Sequence, residues 1–195
     1  MGVLDEKRSL REHLLRARAA LPVAERAAAS RAAAGIVEAT RAWRAARVVA
    51  LYAPVGAEVD TAELVERALR AGKRLAWPIL RPSGLALEFA TCAPADLVAG
   101  PAGTREPPPL ASPAPLEELD MVVVPGVAFD EEGHRLGRGR GHYDATLRLL
   151  PERATRVGLA FELQVVPSVP CEPHDVRLDA IATERRLVSV HRPLR

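Results

Sequence analysis

Short, mainly apolar runs alternate with helix-forming segments along most of this chain of 195 residues. Runs of this kind predict strands that are buried on both faces, as they are in parallel sheets. The predicted strands are residues 47–52, 74–80, 85–90, 121–125 and 156–161, with one or two edge strands within 180–190. Helices are predicted between them at 62–71 and 143–150. This order indicates an α/β fold, in which an open, mostly parallel sheet is flanked by helices.

Two further helices are predicted ahead of the first strand. Residues 5–21 carry apolar side chains every three to four positions, and Pro22 ends that pattern. The alanine-rich residues 23–40 favour a second helix, antiparallel to the first. Residues 93–115 are rich in proline and glycine, which predicts a long irregular surface connection, a candidate lid. The length of the chain fits a single domain over residues 1–195.

The composition narrows the class of protein. With 27 basic and 25 acidic residues the net charge is only +2, so a surface that binds polyanions everywhere is not indicated. No apolar run is long enough to cross a membrane, and the amino terminus lacks a signal-peptide pattern, so we expect a cytoplasmic protein.

The two cysteines of the chain, Cys92 and Cys171, are too few for a disulfide framework. The C-x-x-H spacing of Cys171 and His174 lacks the second ligand pair of a zinc site.

The segment with the most chemical content is residues 125–144, which reads PGVAFDEEGHRLGRGRGHYD. A buried strand leads into a loop in which glycines alternate with arginines, and a helix follows. Closely spaced backbone N–H groups, a helix amino terminus and guanidinium groups are all suited to binding phosphate. The Walker and Rossmann glycine patterns are both absent. Two alternatives stay open: the loop contacts RNA non-specifically, or the glycines only permit a tight turn beneath solvated arginines.

Other candidate residues each have a functional and a structural interpretation. Asp144 can hold Mg²⁺ that bridges phosphate oxygens, or it can cap the helix. Lys7 and Arg11 lie four positions apart on one helix face, where they can bind phosphate or remain a solvated basic surface. Glu58 follows the first strand and can accept hydrogen bonds from an amino-pyrimidine ring, unless it is a solvated loop carboxylate. Asp175 is a candidate metal ligand or turn residue.

Asp179 has the same two interpretations as Asp175, and spacing does not choose between them. The histidines near these segments, among them His134, His142 and His174, are candidate acid or base groups, although loop histidines usually have no catalytic role.

Taken together, these motifs resemble the 5-formyltetrahydrofolate cyclo-ligase family, whose members are also called 5,10-methenyltetrahydrofolate synthetases, over residues 7–187. The resemblance rests on KRSLR at 7–11, the Glu58 loop, REP at 105–107, the arginine-glycine segment at 125–144 and HDVRLDAIATE at 174–184. It implies a fold like that of NagB, RpiA and the CoA transferases, with two amino-terminal helices. It also implies a ligase that forms a C–N bond, converting 5-formyltetrahydrofolate and ATP, with Mg²⁺, into 5,10-methenyltetrahydrofolate, ADP and phosphate through an iminophosphate intermediate.

The resemblance assigns a role to each matching residue. Lys7 and Arg140 would be catalytic, and Asp144 and Asp175 would bind Mg²⁺, which makes Asp179 the less favoured ligand. The residues implied for folate are Ala53, Glu58, Arg138, Arg140 and His142. Those implied for ATP are Lys7, Arg11, Arg135, Gly137, Arg138, Gly139, Arg140, Gly141, His142 and Tyr143.

The sequence departs from the family pattern at two positions. His142 stands where the family often has the first of two tyrosines, and Arg140 stands where many members have lysine or glycine. We expect a monomer that acts on small molecules and has no nucleic-acid or membrane partner. The alternative is a non-catalytic nucleotide-binding or RNA-binding homologue that uses the RGRG loop. The intact candidate residues oppose a loss of catalysis, and the near-zero net charge opposes RNA binding.

Overall fold

The computed structural model describes residues 2–82, 84–172 and 175–190. The described strands are β1 (Val48–Ala50), β2 (Arg74–Ile79), β3 (Glu88–Thr91), β4 (Val98–Ala99), β5 (Arg105–Glu106), β6 (Ser112–Pro113), β7 (Met121–Val124), β8 (Ala128–Phe129), β9 (Arg135–Leu136), β10 (Thr155–Leu159), β11 (Ala180–Ala182) and β12 (Leu187–Ser189). Eight of them form one sheet in the order β12-β11-β10-β7-β1-β2-β3-β6. The five strands from β11 to β2 are parallel, and β12, β3 and β6 pair antiparallel with their neighbours. The predicted open, mostly parallel sheet is therefore confirmed.

The helices are α1 (Val3–Ala20), α2 (Val23–Glu38), α3 (Arg41–Ala45), α4 (Ala62–Arg70) and α5 (His142–Leu149). One apolar core joins α2 and α4 to the sheet, and a second core on other sheet residues includes Leu147 of α5. The two amino-terminal helices have different neighbours: α1 packs on β8 and residues 162–164, whereas α2 packs on α4 and β11. Within the described ranges, no helix is both long enough and apolar enough to cross a bilayer.

The segment between β3 and β7 differs from the sequence prediction. Residues 93–115 are not wholly irregular, since β4 and β5 form a small antiparallel hairpin and β6 extends the main sheet. Strands of two residues are too short to produce a recognisable alternation of apolar and polar side chains, and prolines obscure them further. The hairpin of β8 and β9 went unpredicted for the same reason. The prediction of edge strands within 180–190 holds for β12, whereas β11 is an inner strand because β12 covers it.

The order of the strands locates the functional edge of the sheet. From β1 the chain passes through α4 to β2 on one side, and from β7 it passes through α5 to β10 on the other. The direction of winding thus reverses between β1 and β7. In open α/β sheets, ligands bind beyond the carboxyl ends of the strands at such a reversal. We therefore expect the ligand site to lie beside the residues that follow β1 and β7.

The amino ends of β1 and β7 are joined by one carboxylate. Asp120 accepts hydrogen bonds at Oδ2 from the backbone N–H groups of Arg47 (2.8 Å) and Val48 (3.0 Å), and it pairs through Oδ1 with Arg153. Burial alone would raise the pKa of Asp120. The hydrogen bonds from Val48 and Arg47, with the Arg153 guanidinium, outweigh burial and lower the pKa below its ordinary value of 3.8.

We expect Asp120→Asn to lower the free energy of unfolding by about 2 kcal/mol near pH 7, because the charged acceptor is lost. Since the folded-state pKa is lowered, the contribution of this carboxylate is present above about pH 4 and is lost as the pH falls through the lowered pKa. Urea unfolding of both proteins from pH 7 down to pH 2 measures the difference. A difference that stays constant down to pH 2 would contradict this origin of the effect.

Candidate active site

A cleft of about 610 Å³ lies at the carboxyl ends of β1 and β7. Its walls come from the loops after β1, β2 and β7, from α1, and from the segment between β9 and α5. All the site residues implied by the resemblance line this cleft: Lys7, Arg11, Ala53, Glu58, Arg135, Gly137, Arg138, Gly139, Arg140, Gly141, His142, Tyr143, Asp144 and Asp175. The structure thus brings together residues that are up to 168 positions apart in the chain, as in the contact of Lys7 with Asp175.

The arginine-glycine loop depends on its glycines for two different reasons. Gly139 and Gly141 have positive φ angles of 93° and 71°, which side chains other than glycine rarely adopt. Gly137 has an ordinary φ, but a Cβ atom there would lie 2.6 Å from Nη1 of Arg135. The carbonyl of Gly137 accepts a hydrogen bond of 2.9 Å from Nε of Arg11, which ties the loop to α1. The loop is therefore held in place by backbone geometry and by a distant helix.

Beneath the loop, a buried ion pair joins β9 to α5. Arg135 Nη2 donates to Asp144 Oδ2 at 2.8 Å, and the Arg135 side chain is only 3% exposed. The Arg135 guanidinium also lies 5.7 Å from the centre of the Tyr143 ring. Asp144 Oδ1 is buried and has no hydrogen-bond partner among the described residues. Asp144 lies in the first turn of α5, and the amino end of this helix has no side-chain cap hydrogen bond, so the interpretation of Asp144 as a helix cap is wrong.

Lys7 lies almost fully buried between two carboxylates. Its Nζ donates to Glu172 Oε2 at 2.8 Å and to Asp175 Oδ2 at 2.9 Å. Burial by itself lowers the pKa of Lys7, but the hydrogen bonds and charges of Asp175 and Glu172 outweigh it, so the pKa is raised above 10.5. Lys7 is therefore a fixed positive charge inside the cleft. The interpretation of Lys7 as part of a solvated basic surface is wrong.

Glu58 is likewise largely buried, with its side chain 10% exposed. Its Oε2 accepts a hydrogen bond of 2.9 Å from the backbone N–H of Val55, and its Oε1 pairs with Arg138 Nη2 at 2.9 Å. Arg138 also donates to the Val55 carbonyl at 3.1 Å, so it links the arginine-glycine loop to the segment after β1. The interpretation of Glu58 as a solvated loop carboxylate is wrong.

The two residues that depart from the family pattern have different environments. His142 Nδ1 lies 2.8 Å from the Leu85 carbonyl oxygen, and since a carbonyl only accepts, Nδ1 carries the hydrogen. Arg140 is exposed at the cleft and makes no hydrogen bond or ion pair with any described residue. Arg140 is thus an arginine whose donors are all available to a bound anion.

The two predicted metal ligands, Asp144 and Asp175, each bring a carboxylate to the cleft. Mg²⁺ is usually held by one or two carboxylates together with substrate phosphates and water. The unpaired Oδ1 of Asp144 fits such an ion, and Asp175 lines the same cleft. Across 2–82, 84–172 and 175–190, no three His, Cys, Asp or Glu side chains form a self-sufficient metal cluster. His174, the candidate partner of Cys171, lies outside the described residues.

Asp179 and His134 have structural surroundings instead. Asp179 Oδ2 accepts from the Arg156 backbone N–H at 2.7 Å, and this carboxylate does not line the cleft. His134 lies 3.0 Å from the buried carboxylate of Asp130 and accepts at Nε2 from Arg177 at 3.1 Å. The preference for Asp175 over Asp179 agrees with these positions.

Sequence reasoning assigned no role to several residues that line the cleft, among them Tyr52, Glu106 and Glu172, and it also missed Arg18, which contacts the cleft residue Gly126. Arg18 is 3% exposed and donates to the Gly126 carbonyl at 3.1 Å. Burial lowers the pKa of this guanidinium, and the charge of Glu58 partly offsets that effect. A signal for Arg18 was present, because it follows the core residue Leu14 by one helical turn and so falls on the buried face of α1.

Comparisons with known proteins agree with this arrangement. The sequence model of the 5-formyltetrahydrofolate cyclo-ligase family matches residues 3–184. The 5-formyltetrahydrofolate cyclo-ligase of Mycolicibacterium smegmatis is 35% identical over 190 residues, covering 92% of this chain and 94% of that protein. The enzyme of the same name from Escherichia coli K12 is 38% identical over 146 residues, covering 73% of this chain and 80% of that protein.

A solved structure has the same fold. The NMR structure of Aquifex aeolicus 5,10-methenyltetrahydrofolate synthetase superposes with a TM-score of 0.83 at 32% identity, covering 97% of this chain and 96% of that one. The resemblance inferred from the motifs is thus confirmed by a match along nearly the whole chain. The chain belongs to the 5-formyltetrahydrofolate cyclo-ligase family.

Proposed function

We propose that this chain catalyses the ATP- and Mg²⁺-dependent cyclisation of 5-formyltetrahydrofolate to 5,10-methenyltetrahydrofolate, with release of ADP and phosphate. The observation that carries the proposal is the convergence of the arginine-glycine loop, Lys7 and Glu58 on one cleft at the winding reversal of the sheet. Residues of a single chain supply these groups, so the proposed monomer needs no second subunit to complete the cleft.

ATP would bind at the arginine-glycine loop. The backbone N–H groups of residues 137–141 and the amino terminus of α5 are suited to phosphate oxygens. Arg140 brings guanidinium donors that have no partner among the described residues. Lys7 brings an ammonium group that stays protonated at neutral pH, because its pKa is raised. Arg11 holds the loop through the Gly137 carbonyl and lines the cleft beside it. Negative charge that accumulates on the transferred phosphoryl group would be stabilised by these fixed cations.

The folate would lie across the carboxyl end of β1. Glu58 is fixed by Val55 and Arg138, and its oxygens retain lone pairs for the N–H groups of an amino-pyrimidine ring. Apolar walls from Pro78, Leu87 and Tyr143 are suited to the flat ring system. Backbone near Ala53 and the side chains of Arg138 and His142 complete this part of the cleft.

Mg²⁺ would be held by Asp144 and Asp175 together with phosphate oxygens. When bound, such an ion neutralises charge on the phosphates and draws electron density from the phosphorus. The ion pair with Arg135 fixes the orientation of the Asp144 carboxylate and leaves Oδ1 for the ion.

In the proposed reaction, the formyl oxygen attacks the γ-phosphorus of ATP and the bond to ADP breaks. N10 then attacks the formyl carbon of the resulting iminophosphate and loses its proton. The C–O bond breaks, and inorganic phosphate leaves with the former formyl oxygen. The protein contributes by holding the formyl group, N10 and the γ-phosphate in line and by neutralising charge.

An isotope experiment tests this sequence of steps. With ¹⁸O in the formyl group, we expect one labelled oxygen in the inorganic phosphate for each methenyl product formed. Mass spectrometry of the phosphate after complete conversion gives the ratio. Label that leaves as water would refute the phosphorylated intermediate even if cyclisation itself occurs.

A further inference from the structure

One carboxylate in the cleft has no role in the proposed chemistry. Glu106 belongs to β5 and to the REP segment, and it is 8% exposed. Leu80, which follows β2, and Thr104 line the cleft beside it. Glu106 also borders a smaller groove of about 400 Å³. It therefore lies on the β2 side of the cleft, whereas Lys7 is anchored to the segment before β11 on the other side of β1.

Both side-chain hydrogen bonds of Glu106 are made by one carboxylate oxygen, Oε1, and the other oxygen, Oε2, accepts none from the described residues. Oε1 accepts from the Leu80 backbone N–H at 3.3 Å and from the Thr104 hydroxyl at 3.1 Å. Oε2 accepts from no described residue, and no described lysine, arginine or histidine pairs with Glu106. The neighbouring Arg105 donates instead to the Leu97 carbonyl at 2.8 Å. Gly100 also packs closely against this side chain, since a Cβ atom added at Gly100 would lie only 2.7 Å from Cγ of Glu106.

A carboxylate this deeply buried is costly unless donors or cations compensate its charge. Two neutral donors on a single oxygen compensate only part of that cost. A hydrogen-bond donor to Oε2 therefore has to come from water or from a bound molecule. The phosphate groups of ATP carry negative charge and no N–H donors, so a carboxylate repels them. The folate has several N–H groups, and a carboxylate oxygen is a strong acceptor for such groups.

We propose that Glu106 is a substrate-binding residue whose Oε2 accepts a hydrogen bond from an N–H group of the folate. This inference rests on the proposed function, since it requires the folate in this cleft. Because Oε1 is already engaged, the contact is through one oxygen. Glu106 thus supplements Glu58, whose two oxygens both have partners within the protein.

Glu106→Gln separates substrate binding from a structural role. The glutamine keeps one carbonyl oxygen, which continues to accept from Leu80 and Thr104, so the loop stays anchored. It presents an NH₂ group where Oε2 was, and two donors then face each other. We expect the KM for 5-formyltetrahydrofolate to rise about tenfold or more, with the KM for ATP within about twofold of that of the wild type. The matched control is Glu88→Gln, at an exposed carboxylate on β3 that pairs with Arg81 outside the cleft.

Three results would overturn the inference: an unchanged KM for 5-formyltetrahydrofolate in Glu106→Gln, a parallel rise in the KM for ATP, or the same rise in Glu88→Gln.

A second measurement does not require turnover. It compares the increase in melting temperature that 5-formyltetrahydrofolate alone and ATP alone each produce. We expect Glu106→Gln to lose the increase with folate and keep the one with ATP. If wild-type protein produces no methenyl product, the proposed function fails; wild-type turnover with an unaffected variant refutes only the role of Glu106.

Discussion

Asp144→Asn is expected to lower kcat/KM about 100-fold or more, the largest effect of any single substitution in the cleft. The variant removes the charge that would hold Mg²⁺ at Oδ1, the one oxygen of this side chain without a partner among the described residues. It also leaves the Arg135 guanidinium, 3% exposed, without its carboxylate. Steady-state rates measured over a range of Mg²⁺ concentrations should show that excess Mg²⁺ restores part of the activity.

Stability has to be measured alongside, because removing one partner of a buried ion pair destabilises a protein by about 3 kcal/mol or more. Asparagine keeps one acceptor for Arg135, so we expect the variant to fold with a lowered melting temperature. Asp96→Asn, at an exposed position away from the cleft, is the control and should behave as the wild type. A folded Asp144→Asn protein with kcat/KM within about threefold of the wild type would remove Asp144 from the active site.

Lys7→Met is expected to lower kcat/KM for ATP about 50-fold, mainly through KM, while the KM for 5-formyltetrahydrofolate changes little. The ammonium group of Lys7 is the charge that both Glu172 and Asp175 contact. Without it, two carboxylates face the phosphates of ATP. We expect Lys7→Arg to restore little, because a planar guanidinium does not replace a compact ammonium in a site only 11% exposed.

Arg8→Met is the matched control for Lys7→Met. Arg8 is the next residue of α1, but its side chain is 71% exposed and pairs only with Asp5 among the described residues. We expect its kinetic constants to match those of the wild type. Equal effects of Lys7→Met and Arg8→Met on the KM for ATP would mean that the overall charge of α1, and not a specific contact, attracts the nucleotide.

The parallel core of the sheet was predictable because the adjacent strands β1 and β7 consist only of apolar residues. The residues of β7 are all buried. The two-residue strands were not predictable, since their pairing depends on contacts made across the fold and not on a local pattern. This applies to β8 and β9, and it also applies to β4 and β5, which position Glu106 beside the cleft.

The candidate site could be located from sequence, but its internal pairings could not. The position of Glu58 after a buried strand and of the glycines before a helix was sufficient to place both at the carboxyl edge of the sheet. The ion pair of Glu58 with Arg138 joins residues 80 positions apart, and that of Lys7 with Glu172 joins residues 165 apart. Only the tertiary structure determines such partners, and they decide which carboxylate oxygens stay available to a ligand.

The most direct measurement is the absorbance of 5,10-methenyltetrahydrofolate formed from 5-formyltetrahydrofolate by the wild-type protein, with ATP or Mg²⁺ omitted in turn. Asp144→Asn and Arg140→Ala are measured in parallel. The expected result is turnover that requires both ATP and Mg²⁺ and collapses in both variants. Wild-type protein that binds ATP but forms no methenyl product would contradict the cyclo-ligase activity, and turnover that survives in both variants would place the active site elsewhere.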